Sequence, residues 1–344
     1  RVPLSPAADA VAAVDAADAG DVIQVAEGVY LEDVTITKGI SISGGWNPGF
    51  AENIPPLYRT VIQGSGADSV VKVMDVQAAV SLSGLIITGG NGYYDGYLYA
   101  GGGVYAQWST SLSLNEMTIT GNNAVHPGYE SRGGGFYAES TPVEITNSTV
   151  SATKATIGGG ILITRSTAVI RKCIIRGNSI SGDHGGGIFL YTPSAIVEEN
   201  LIYGNEAGRE LGYGWGGGII VVDVGNSAAL EDNIITGNYA ASGGAGVFID
   251  EGASATMTNN LVVRNTGPGG MNGGAGVYVD GDTHVGSSLT MTNCTVADNG
   301  GESLGGGNGI MVENQSIVTV RDCIFWGHPD DFFVDQTSTL TICY

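Results

Sequence analysis

Basic residues are scarce in this chain. Its 344 residues include 13 Lys and Arg against 34 Asp and Glu, which gives a net charge of -21. A chain with this excess of carboxylates repels phosphate backbones, so we expect no nucleic-acid partner. The same charge balance suits an acidic extracellular protein, and it is compatible with cation binding.

Long apolar runs are missing as well. The sequence holds no stretch of about 18 consecutive apolar residues, so we expect no membrane span. It begins at Arg1, without Met and without an apolar signal region. We therefore expect a mature or excised segment of a secreted or cell-surface protein, from which any export signal has been removed.

Cysteine is sparse, whereas glycine is abundant. The four Cys residues have no metal-ligand spacing, and they are Cys173, Cys294, Cys323 and Cys343. There are 57 Gly residues, but a hydrophobic content of 42% excludes disorder. The glycines must therefore belong to a folded, regular architecture.

Glycine runs recur along the chain and organise it. Eight copies of a Gly-x-Gly segment followed by apolar residues stand 25 to 33 residues apart. They begin at Gly101, Gly133, Gly158, Gly185, Gly216, Gly244, Gly274 and Gly307. Internal repeats of this period indicate a solenoid, in which each repeat contacts its neighbours and the core grows lengthwise.

The second half of each repeat aligns without gaps on a terminal Asn. The aligned residues are Asn122, Asn178, Asn205, Asn238, Asn265 and Asn299, and the copies ending at Thr153 and His328 depart. A turn Asn tolerates left-handed backbone geometry. Stacked in successive coils, these residues are expected to form an asparagine ladder in which each amide bonds the next.

A column five residues earlier holds small polar or sulfur-containing side chains. It reads Met117, Ser148, Cys173, Asn200, Asn233, Asn260, Cys294 and Cys323. We expect this column to face the interior. Cys294 and Cys323 would then lie one coil apart, either as a disulfide or as free buried thiols.

The repeats divide a single domain, residues 1–344, into four parts. Residues 1–20 form an N-terminal cap, in which a short helix runs from Ala7 to Ala17 with Ser5 as N-cap and Pro6 as first helical residue. Residues 21–100 form the first coils, with a long excursion at 44–60. Residues 101–328 hold the eight glycine repeats, and 329–344 form a C-terminal coil.

The alternation of each glycine half-repeat predicts which residues face inward. Val104 and Ala106, with their equivalents in the other repeats, should point in. The residue between them should point out, and this outward column is Tyr105, Tyr137, Leu162, Phe189, Ile220, Phe248, Tyr278 and Met311. Either the column is an open apolar stripe, which would mark an interaction surface, or long loops fold over it.

The next outward column is rich in carboxylates towards the C-terminal end. Asp250, Asp280 and Glu313 belong to it, and Asp223, Glu251 and Asp282 lie close in sequence. Stacked carboxylates suit Ca²⁺, which takes several oxygen ligands. The candidate metal residues are Asp250, Asp280, Asp282 and Glu313, although a solvated acidic edge would explain the same column.

The loops before the glycine runs vary most and are rich in aromatic residues. Loops on a rigid scaffold are where function concentrates, and aromatic faces beside carboxylates suit sugars. Together with the outward column they supply the candidate ligand-binding residues Tyr105, Tyr137, Phe189, Tyr191, Tyr213, Trp215, Phe248 and Tyr278. Six basic residues cluster between Arg132 and Arg176, where they either bind a uronate or sulfate group or pair with neighbouring glutamates.

The chain resembles the pectate-lyase-like superfamily of right-handed parallel β-helices. The segment 19–30, Ala-Gly-Asp-Val-Ile-Gln-Val-Ala-Glu-Gly-Val-Tyr, looks like a first coil of many bacterial members. The Gly-Gly-x-Ile and Ile-x-x-Asn repeats resemble those of polymorphic outer-membrane and autotransporter-passenger proteins. The resemblance implies an all-β, single-stranded right-handed parallel β-helix of about ten or eleven coils.

The same resemblance bears on catalysis. Superfamily lyases use a Lys or Arg base and neutralise the uronate carboxylate with Ca²⁺ or Arg, whereas the hydrolases use clustered carboxylates. The chain has neither the Asn-Thr-Asp…Asp-Asp…Gly-His-Gly pattern of polygalacturonases nor the Arg-x-Pro-x-x-Arg signature of pectate lyases. A lyase site would use Lys154, Arg165 or Lys172 with Arg132, His184 and Glu139.

Three functional hypotheses follow. The first is an extracellular or cell-surface module that binds a polysaccharide or a protein along the outward stripe. The second is a polysaccharide lyase or, less in keeping with the sequence, a glycoside hydrolase that acts on an acidic polysaccharide. The third is a structural surface protein that associates with itself through the stripe. We favour the first, because the regular repeat explains most of the sequence.

Overall fold

The computed structural model describes residues 2–4, 10–210, 212–267, 273–282, 284–301 and 307–343. The chain winds into a parallel β-helix in which each coil adds one strand to each of three long sheets, called A, B and C here. One coil, for example, runs through Val104–Gln107 in sheet C, Ser111–Asn115 in sheet A and Thr118–Thr120 in sheet B. Neighbouring coils pair in parallel and in register.

The strands of the long sheets stack in chain order. Sheet A has Val2–Leu4, Val22–Ala26, Ser41–Trp46, Ala79–Ser83, Ser111–Asn115, Val143–Thr146, Thr167–Arg171, Ser194–Glu198, Ser227–Glu231, Ser254–Thr258, Ser288–Thr292, Ile317–Arg321 and Thr339–Cys343. Sheet B has Gly28–Leu31, Thr60–Gln63, Leu85–Thr88, Thr118–Thr120, Thr149–Ser151, Ile174–Arg176, Leu201–Tyr203, Ile234–Thr236, Leu261–Val263, Thr295–Ala297 and Ile324–Trp326. Sheet C has Val34–Ile36, Val71–Met74, Val104–Gln107, Phe136–Glu139, Ile161–Thr164, Ile188–Tyr191, Ile219–Val222, Val247–Asp250, Val277–Val279, Ile310–Val312 and Phe332–Val334.

Two smaller sheets lie in the segments that lead from sheet B to the glycine runs. Sheet D has Tyr93–Tyr94, Tyr99–Ala100 and Ser131–Arg132. Sheet E has Lys154–Ala155, Ser179–Ile180, Glu206–Ala207, Tyr239–Ala240, Thr266–Gly267 and Gly300–Gly301. The described parts of these segments therefore include short strands that stack from coil to coil.

A short helix covers the N-terminal end. It runs from Ala10 to Ala16, and Ala10, Ala13 and Val14 are buried against the first coils. The carboxylate of Glu32 accepts hydrogen bonds from the backbone N–H groups of Ala10 and Val11, both at 2.8 Å. Glu32 thus satisfies helix N–H groups that lack intrahelical partners. The predicted N-cap Ser5 and Pro6 lie outside the described residues. Among those residues, no helix is long and apolar enough to cross a membrane.

The predicted inward columns of sheet C are confirmed. Val104 and Ala106, with their equivalents in the following coils, are buried in one continuous core that runs the length of the helix. Sheets A and B contribute alternate residues to the same core, for example Leu112 and Leu114 from sheet A and Ile119 from sheet B. The period-2 alternation of each strand therefore determines which side chains fill the helix.

The asparagine ladder is present at the corner after sheet B. The Nδ2 of each Asn donates to the Oδ1 of the next from Asn178 to Asn299, at 2.9, 2.9, 2.9 and 3.0 Å. The two departing residues join it, since Thr153 donates to Asn178 and His328 lies 3.3 Å from Asn299. The left-handed backbone falls one residue before the ladder, at positions such as Gly204 with φ 62°.

A second ladder fills the corner between sheets A and B. Asn200, Asn233 and Asn260 are linked by amide hydrogen bonds of 3.0 Å, and the backbone N–H of Cys173 donates to Asn200 at 2.8 Å. All four cysteines are free. The backbone N–H of Cys294 lies 3.3 Å from the Sγ of Cys323, so a thiol takes the place of an amide at this corner. The prediction that this column faces the interior is confirmed, and hydrogen bonds link its residues from coil to coil.

The outward column of sheet C is covered. Tyr105, Tyr137, Phe248, Tyr278 and their neighbours in the column are buried, and Phe189 is half-buried. They form two clusters separate from the interior core, under residues from the loops such as Ala100, Ile157 and Trp215. The alternative with loops folded over the column is the one that the structure shows.

The glycine runs allow this cover to pack closely against the outward column of sheet C. At Gly158, where φ is 64°, an added Cβ would lie 2.7 Å from the Cβ of Leu162, a residue of the outward column. At Gly160 it would lie 2.4 Å from the carbonyl oxygen of Gly187 in the next coil. Glycine is therefore needed both for the left-handed turn and for the coil-to-coil approach.

Asn205→Ala tests the ladder. The substitution removes the oxygen that accepts from both the backbone N–H and the Nδ2 of Asn178. The backbone N–H of Asn178 and one of its two Nδ2 hydrogens would then lack partners, the other still donating to Val150. We therefore expect the free energy of unfolding to fall by at least about 2 kcal/mol. Chemical denaturation measures this, with Thr256→Ala on the exposed face of sheet A as control. Equal midpoints for both variants would show that the ladder does not stabilise the helix.

Candidate functional site

A groove with a volume of about 470 Å³ lies on the outer side of sheet C. It crosses five coils, where the loop cover leaves part of the outward columns accessible. Its lining residues are Arg132, Ile157, Leu162, Thr164, Arg165, Phe189, Tyr191, Val222, Asp223 and Glu251. The groove thus combines an apolar floor with charged side chains of both signs.

Two arginines occupy the N-terminal end of the groove. Arg132 belongs to sheet D, and its Nε lies 2.6 Å from the Oε1 of Glu130. Arg165 stands at the corner after Ile161–Thr164, and its NH1 lies 2.9 Å from the Oε1 of Glu139. Each guanidinium has five N–H donors, so these pairs leave further donors on two side chains that line the groove.

Glu139 is held from several sides in this network. Its Oε2 accepts hydrogen bonds from the Nε2 of Gln107 at 2.8 Å and from the hydroxyl of Tyr137 at 3.3 Å. Tyr105 donates in turn to the Oε1 of Gln107 at 2.7 Å. Because Glu139 is fixed by the outer residues of two coils, it fixes Arg165 from one side of the groove.

The C-terminal end of the groove is acidic. Asp223 and Glu251 stand at the same corner of their coils as Arg165, each in a left-handed conformation, with φ of 77° and 54°. Burial raises the pKa of Glu251. A hydrogen bond to Asp223, followed by burial, raises the pKa of Tyr191, which lies between the arginines and the carboxylates. The groove therefore runs from a cationic end to an anionic end.

The carboxylate column continues past the groove. The hydroxyl of Tyr278 lies 3.1 Å from Asp280 and 2.7 Å from Glu313, and Asn314 donates to Asp280 at 2.8 Å. Burial raises the pKa of Asp280 and Glu313, and raises that of Asp250 to about 7. Desolvation raises all three pKa values because the stacking buries these carboxyl groups beside one another.

The four candidate metal residues do not form a metal-binding group. No cluster of three or more His, Cys, Asp or Glu in the described part of the chain is arranged to hold a metal ion. Asp280 and Glu313 share the Tyr278 hydroxyl, whereas Asp282 accepts backbone N–H groups from His284 and Val285 within its own turn. Hydrogen bonds inside the protein therefore occupy oxygens that a cation would need.

The candidate catalytic residues are divided among different parts of the coil. Arg132, Arg165 and Glu139 come together at the groove. Lys154 pairs with Glu210 on the outer loop layer at 3.0 Å, and Lys172 pairs with Glu199 at 3.6 Å, at the corner between sheets A and B. Lys172 is thus on another side of the helix, which corrects its place in the predicted site.

The remaining candidate, His184, is packed in the loop cover. Its ring stacks on Trp215 with a centroid distance of 5.3 Å and meets the edge of Phe189 at 6.5 Å. Burial lowers the pKa of His184. The imidazole of His184 is therefore neutral at neutral pH, and it packs against the ring of Phe189.

The aromatic candidates separate by exposure. Tyr105, Tyr137, Phe248 and Tyr278 are buried and hold the loops in place. Phe189, Tyr191 and Trp215 are half-buried near the groove, and Tyr213 is exposed. An aromatic group at sheet D, in which Tyr99 stacks on His126 and contacts Tyr94 and Tyr129, continues the surface beyond Arg132.

Sequence reasoning did not assign Ile157, Leu162, Val222, Asp223 or Glu251 to a site. A signal for the two carboxylates exists, because each directly follows the last outward residue of its sheet C strand, as Arg165 does. Three charged residues at one corner position in nearby coils predict a charged edge. Leu162 and Phe189 of the apolar floor belong to the predicted outward column, but which residues of that column line the groove depends on where the loop cover ends.

Comparisons with known proteins agree with this architecture. The family model described as "Right handed beta helix region" matches residues 62–208, 102–283 and 270–343, so the chain belongs to this family and its coils are right-handed. The A-module of the mannuronan C-5 epimerase AlgE4 from Azotobacter vinelandii has a similar fold, with 13% identity over 96% of this chain and 94% of that chain and a TM-score of 0.51.

Two further solved structures are similar at lower TM-scores. An alginate lyase from Paenibacillus sp. str. FPU-7 has 15% identity over 98% of both chains and a TM-score of 0.45. The periplasmic alginate epimerase AlgG has 14% identity over 91% of this chain and 77% of that chain, also with 0.45. At these identities the likeness shows the fold alone. The search of curated proteins gave no match.

The raised pKa of Asp250 predicts a pH dependence of stability. An unfolded Asp titrates near ~3.9, whereas folded Asp250 titrates at about 7. Between these two pKa values the folded chain keeps a proton on Asp250 that the unfolded chain has released. The contribution of Asp250 to the free energy of unfolding is therefore full below the unfolded pKa and is lost as the pH rises towards 7.

Asp250→Asn keeps this side chain neutral at every pH. The free energy of unfolding of Asp250→Asn minus that of the unmodified protein is the quantity to compare. We expect this difference to rise by about 1–3 kcal/mol when the pH is raised from 4.5 to 8. Denaturant titrations at both pH values measure the change. Glu144→Gln, which alters an exposed carboxylate on sheet A, is the control. A difference between Asp250→Asn and the parent that is the same at both pH values would contradict the assignment.

Proposed function

We propose that this protein binds an acidic polysaccharide in the groove on the outer side of sheet C, and that it does so as an extracellular or cell-surface protein. One observation carries the proposal. The groove places two guanidinium groups at one end, carboxylates at the other, and Leu162, Phe189 and Val222 as an apolar floor between them. Sites of this kind, apolar with a few placed polar groups, are typical of small-molecule and sugar binding.

Shape supports a chain-like ligand. The groove crosses five coils, so at a strand spacing of ~4.8 Å it extends roughly 19 Å from the first coil to the fifth. Its floor follows the helix axis, because equivalent residues of successive coils stack. An extended chain of several sugar units fits such a groove better than a compact ligand does.

Charge supports an acidic ligand at the arginine end. The net charge of -21 repels a polyanion at long range, but this repulsion is screened beyond ~8 Å at physiological ionic strength. Arg165 has 67% of its side chain exposed, and its surface ion pair with Glu139 contributes little by itself. Arg165 can therefore bind a carboxylate of the ligand through its remaining N–H groups.

The fold of the mannuronan C-5 epimerase module, the neighbour with a TM-score of 0.51, makes mannuronan the first ligand to test. Fold likeness alone assigns no activity. The ligand class rests on the groove, and the neighbour only suggests the probe.

A second candidate is catalysis at the acidic end of the same groove. Glu251 has a raised pKa and Tyr191 contacts Asp223, which together provide proton donors and acceptors beside the guanidinium of Arg165. The raised pKa of Glu251 moves this carboxyl towards neutral pH, as a general acid requires, whereas the raised pKa of Tyr191 keeps its hydroxyl protonated as a donor. In this alternative, Arg165 neutralises the ligand carboxylate, and Tyr191 and Glu251 transfer protons.

Arg165→Ala tests the binding proposal. Loss of a charged hydrogen bond of ~1.5–3 kcal/mol should weaken mannuronan binding roughly 10- to 100-fold in calorimetry. The fold should be retained, because Glu139 keeps its bonds to Gln107 and Tyr137.

Arg171→Ala is the matched control for Arg165→Ala. Arg171 also forms an inter-coil pair, with Glu198 at 2.7 Å, but it lies on sheet A away from the groove. We expect the affinity of Arg171→Ala for mannuronan to match that of the parent protein. Equal loss in both variants, or no polyuronate binding by the parent protein, would refute the groove assignment.

Catalysis is tested by absorbance at 235 nm, which reports unsaturated uronate products, together with a reducing-end assay for hydrolysis. If the protein turns over mannuronan, Tyr191→Phe and Glu251→Gln should slow it by roughly 100-fold or more. Tyr203→Phe on sheet B is the matched control. Absence of product, or full activity in both groove variants, would exclude this second candidate.

A further inference from the structure

The outer face of sheet B is an exposed aliphatic strip. The first outward position of its strands is mainly Val, Ile or Leu, and the stacked residues are Val29, Val61, Ile86, Thr118, Thr149, Ile174, Leu201, Ile234, Leu261, Thr295 and Ile324. Val29, Ile174, Ile234 and Ile324 are exposed. Among the described residues, Ile174, Ile234 and Ile324 thus remain exposed along this strip, whereas most of the outward column of sheet C is buried.

The same face lacks acidic side chains. Its second outward position holds Leu31, Gln63, Thr88, Thr120, Ser151, Arg176, Tyr203, Thr236, Val263, Ala297 and Trp326. Arg176 is the one charge in the two columns, although the chain has 34 Asp and Glu. Sheet A differs, because its outer positions include Glu144, Glu198 and Glu231.

Charged residues border the strip at several of the corners that precede its strands. Lys172, Glu199, Asp232 and Asp322 stand there with exposed side chains and left-handed backbone. An apolar surface framed by polar residues is the usual form of a protein interaction site. The strip therefore has the composition of an interface centre, and the corners have that of its rim.

We infer that the outer face of sheet B is where two copies of this chain associate. In a two-fold interface the same patch meets itself, so a patch must be compatible with its own charge. Most of the surface of a chain with net charge -21 would repel its copy. The sheet B strip holds no carboxylate, so two copies can pack there face to face as two sheets do.

The area agrees with a reversible dimer. At a strand spacing of ~4.8 Å, eleven coils make a face roughly 50 Å long. Its strands of three to four residues make it roughly 10–13 Å wide, which gives roughly 500–650 Å² per copy, below the ~800 Å² of a standard interface. The excursion at 44–60 narrows the accessible part, since Pro55 and Pro56 border a cleft with Ile86 and Thr118. We therefore expect a dimer that dissociates on dilution and that strengthens as salt screens the net charge.

Sedimentation velocity on the full chain tests the inference. We expect a monomer–dimer equilibrium at tens of micromolar protein in about 0.15 M salt, with weaker association at about 0.01 M salt. A protein that stays monomeric at the highest concentration and at both salt concentrations would overturn the inference and would mark the strip as a surface for a different partner.

Ile234→Asp places a carboxylate at the middle of the strip and should weaken dimerisation at least tenfold. Ile196→Asp is the matched control, because Ile196 is a central outward residue of sheet A with 37% exposure, close to the 43% of Ile234. Circular dichroism and thermal melts check that both variants fold, and Ile174→Asp at 38% exposure provides a second test of the strip. Equal weakening by the sheet A and sheet B substitutions would contradict the assigned face.

Discussion

Coil-to-coil register is the constraint on which the rest of this molecule depends. The strands of sheets A, B and C bond the equivalent strands of the next coil. Each residue therefore lies directly above its counterpart, apart from a register shift between Val22–Ala26 and Ser41–Trp46. The corners between sheets must keep the same register while burying backbone polar groups. The two ladders meet this need, because one Asn oxygen accepts from both the backbone and the side chain of the preceding coil. Any insertion at those corners would break the stack.

Outside the ladders the coils vary in length, as the excursion at 44–60 and the turn between Val277–Val279 and Ser288–Thr292 show. The candidate site depends on the segments between the Asn corner and the glycine run. These segments differ in length from coil to coil, yet each returns to the same starting point at its glycines. Short pairings such as Lys154–Ala155 with Ser179–Ile180 align their first residues. The remainder folds over the outward column of sheet C, and the groove lies where this cover is incomplete. The position of the candidate site thus follows from a place where the length of the repeat changes.

Periodicity made the interior predictable from the sequence, whereas the cover was not. Residues equivalent to Val104 and Asn205 recur at fixed offsets in successive repeats, so their inward orientation and their stacking follow from counting residues. The burial of Tyr105 and Tyr278 depends on loops such as the one that carries Ala100, whose path no repeat specifies. Lys172 was misplaced for a related reason: closeness in sequence to Arg165 hides the corner that separates the two side chains. Asp223 and Glu251 carried a positional signal, but their role depends on the accessible floor beside them.

Stacking also explains why the chemistry of the outer surface is unusual. Identical positions lie about 4.8 Å apart along the helix, so a carboxylate repeated in successive coils meets its own charge. The chain resolves this in two ways on sheet C. In the middle, Glu139 is neutralised by Arg165 and bonded by Gln107. Towards the C-terminal end, Tyr278 and Asn314 bond Asp280, and Asp250 resists ionisation. The groove lies between these two regions of sheet C, which is why it has a cationic end and an anionic end. On sheet B the problem is avoided altogether, because aliphatic residues stack without repulsion, and the same choice leaves that face able to meet its own copy.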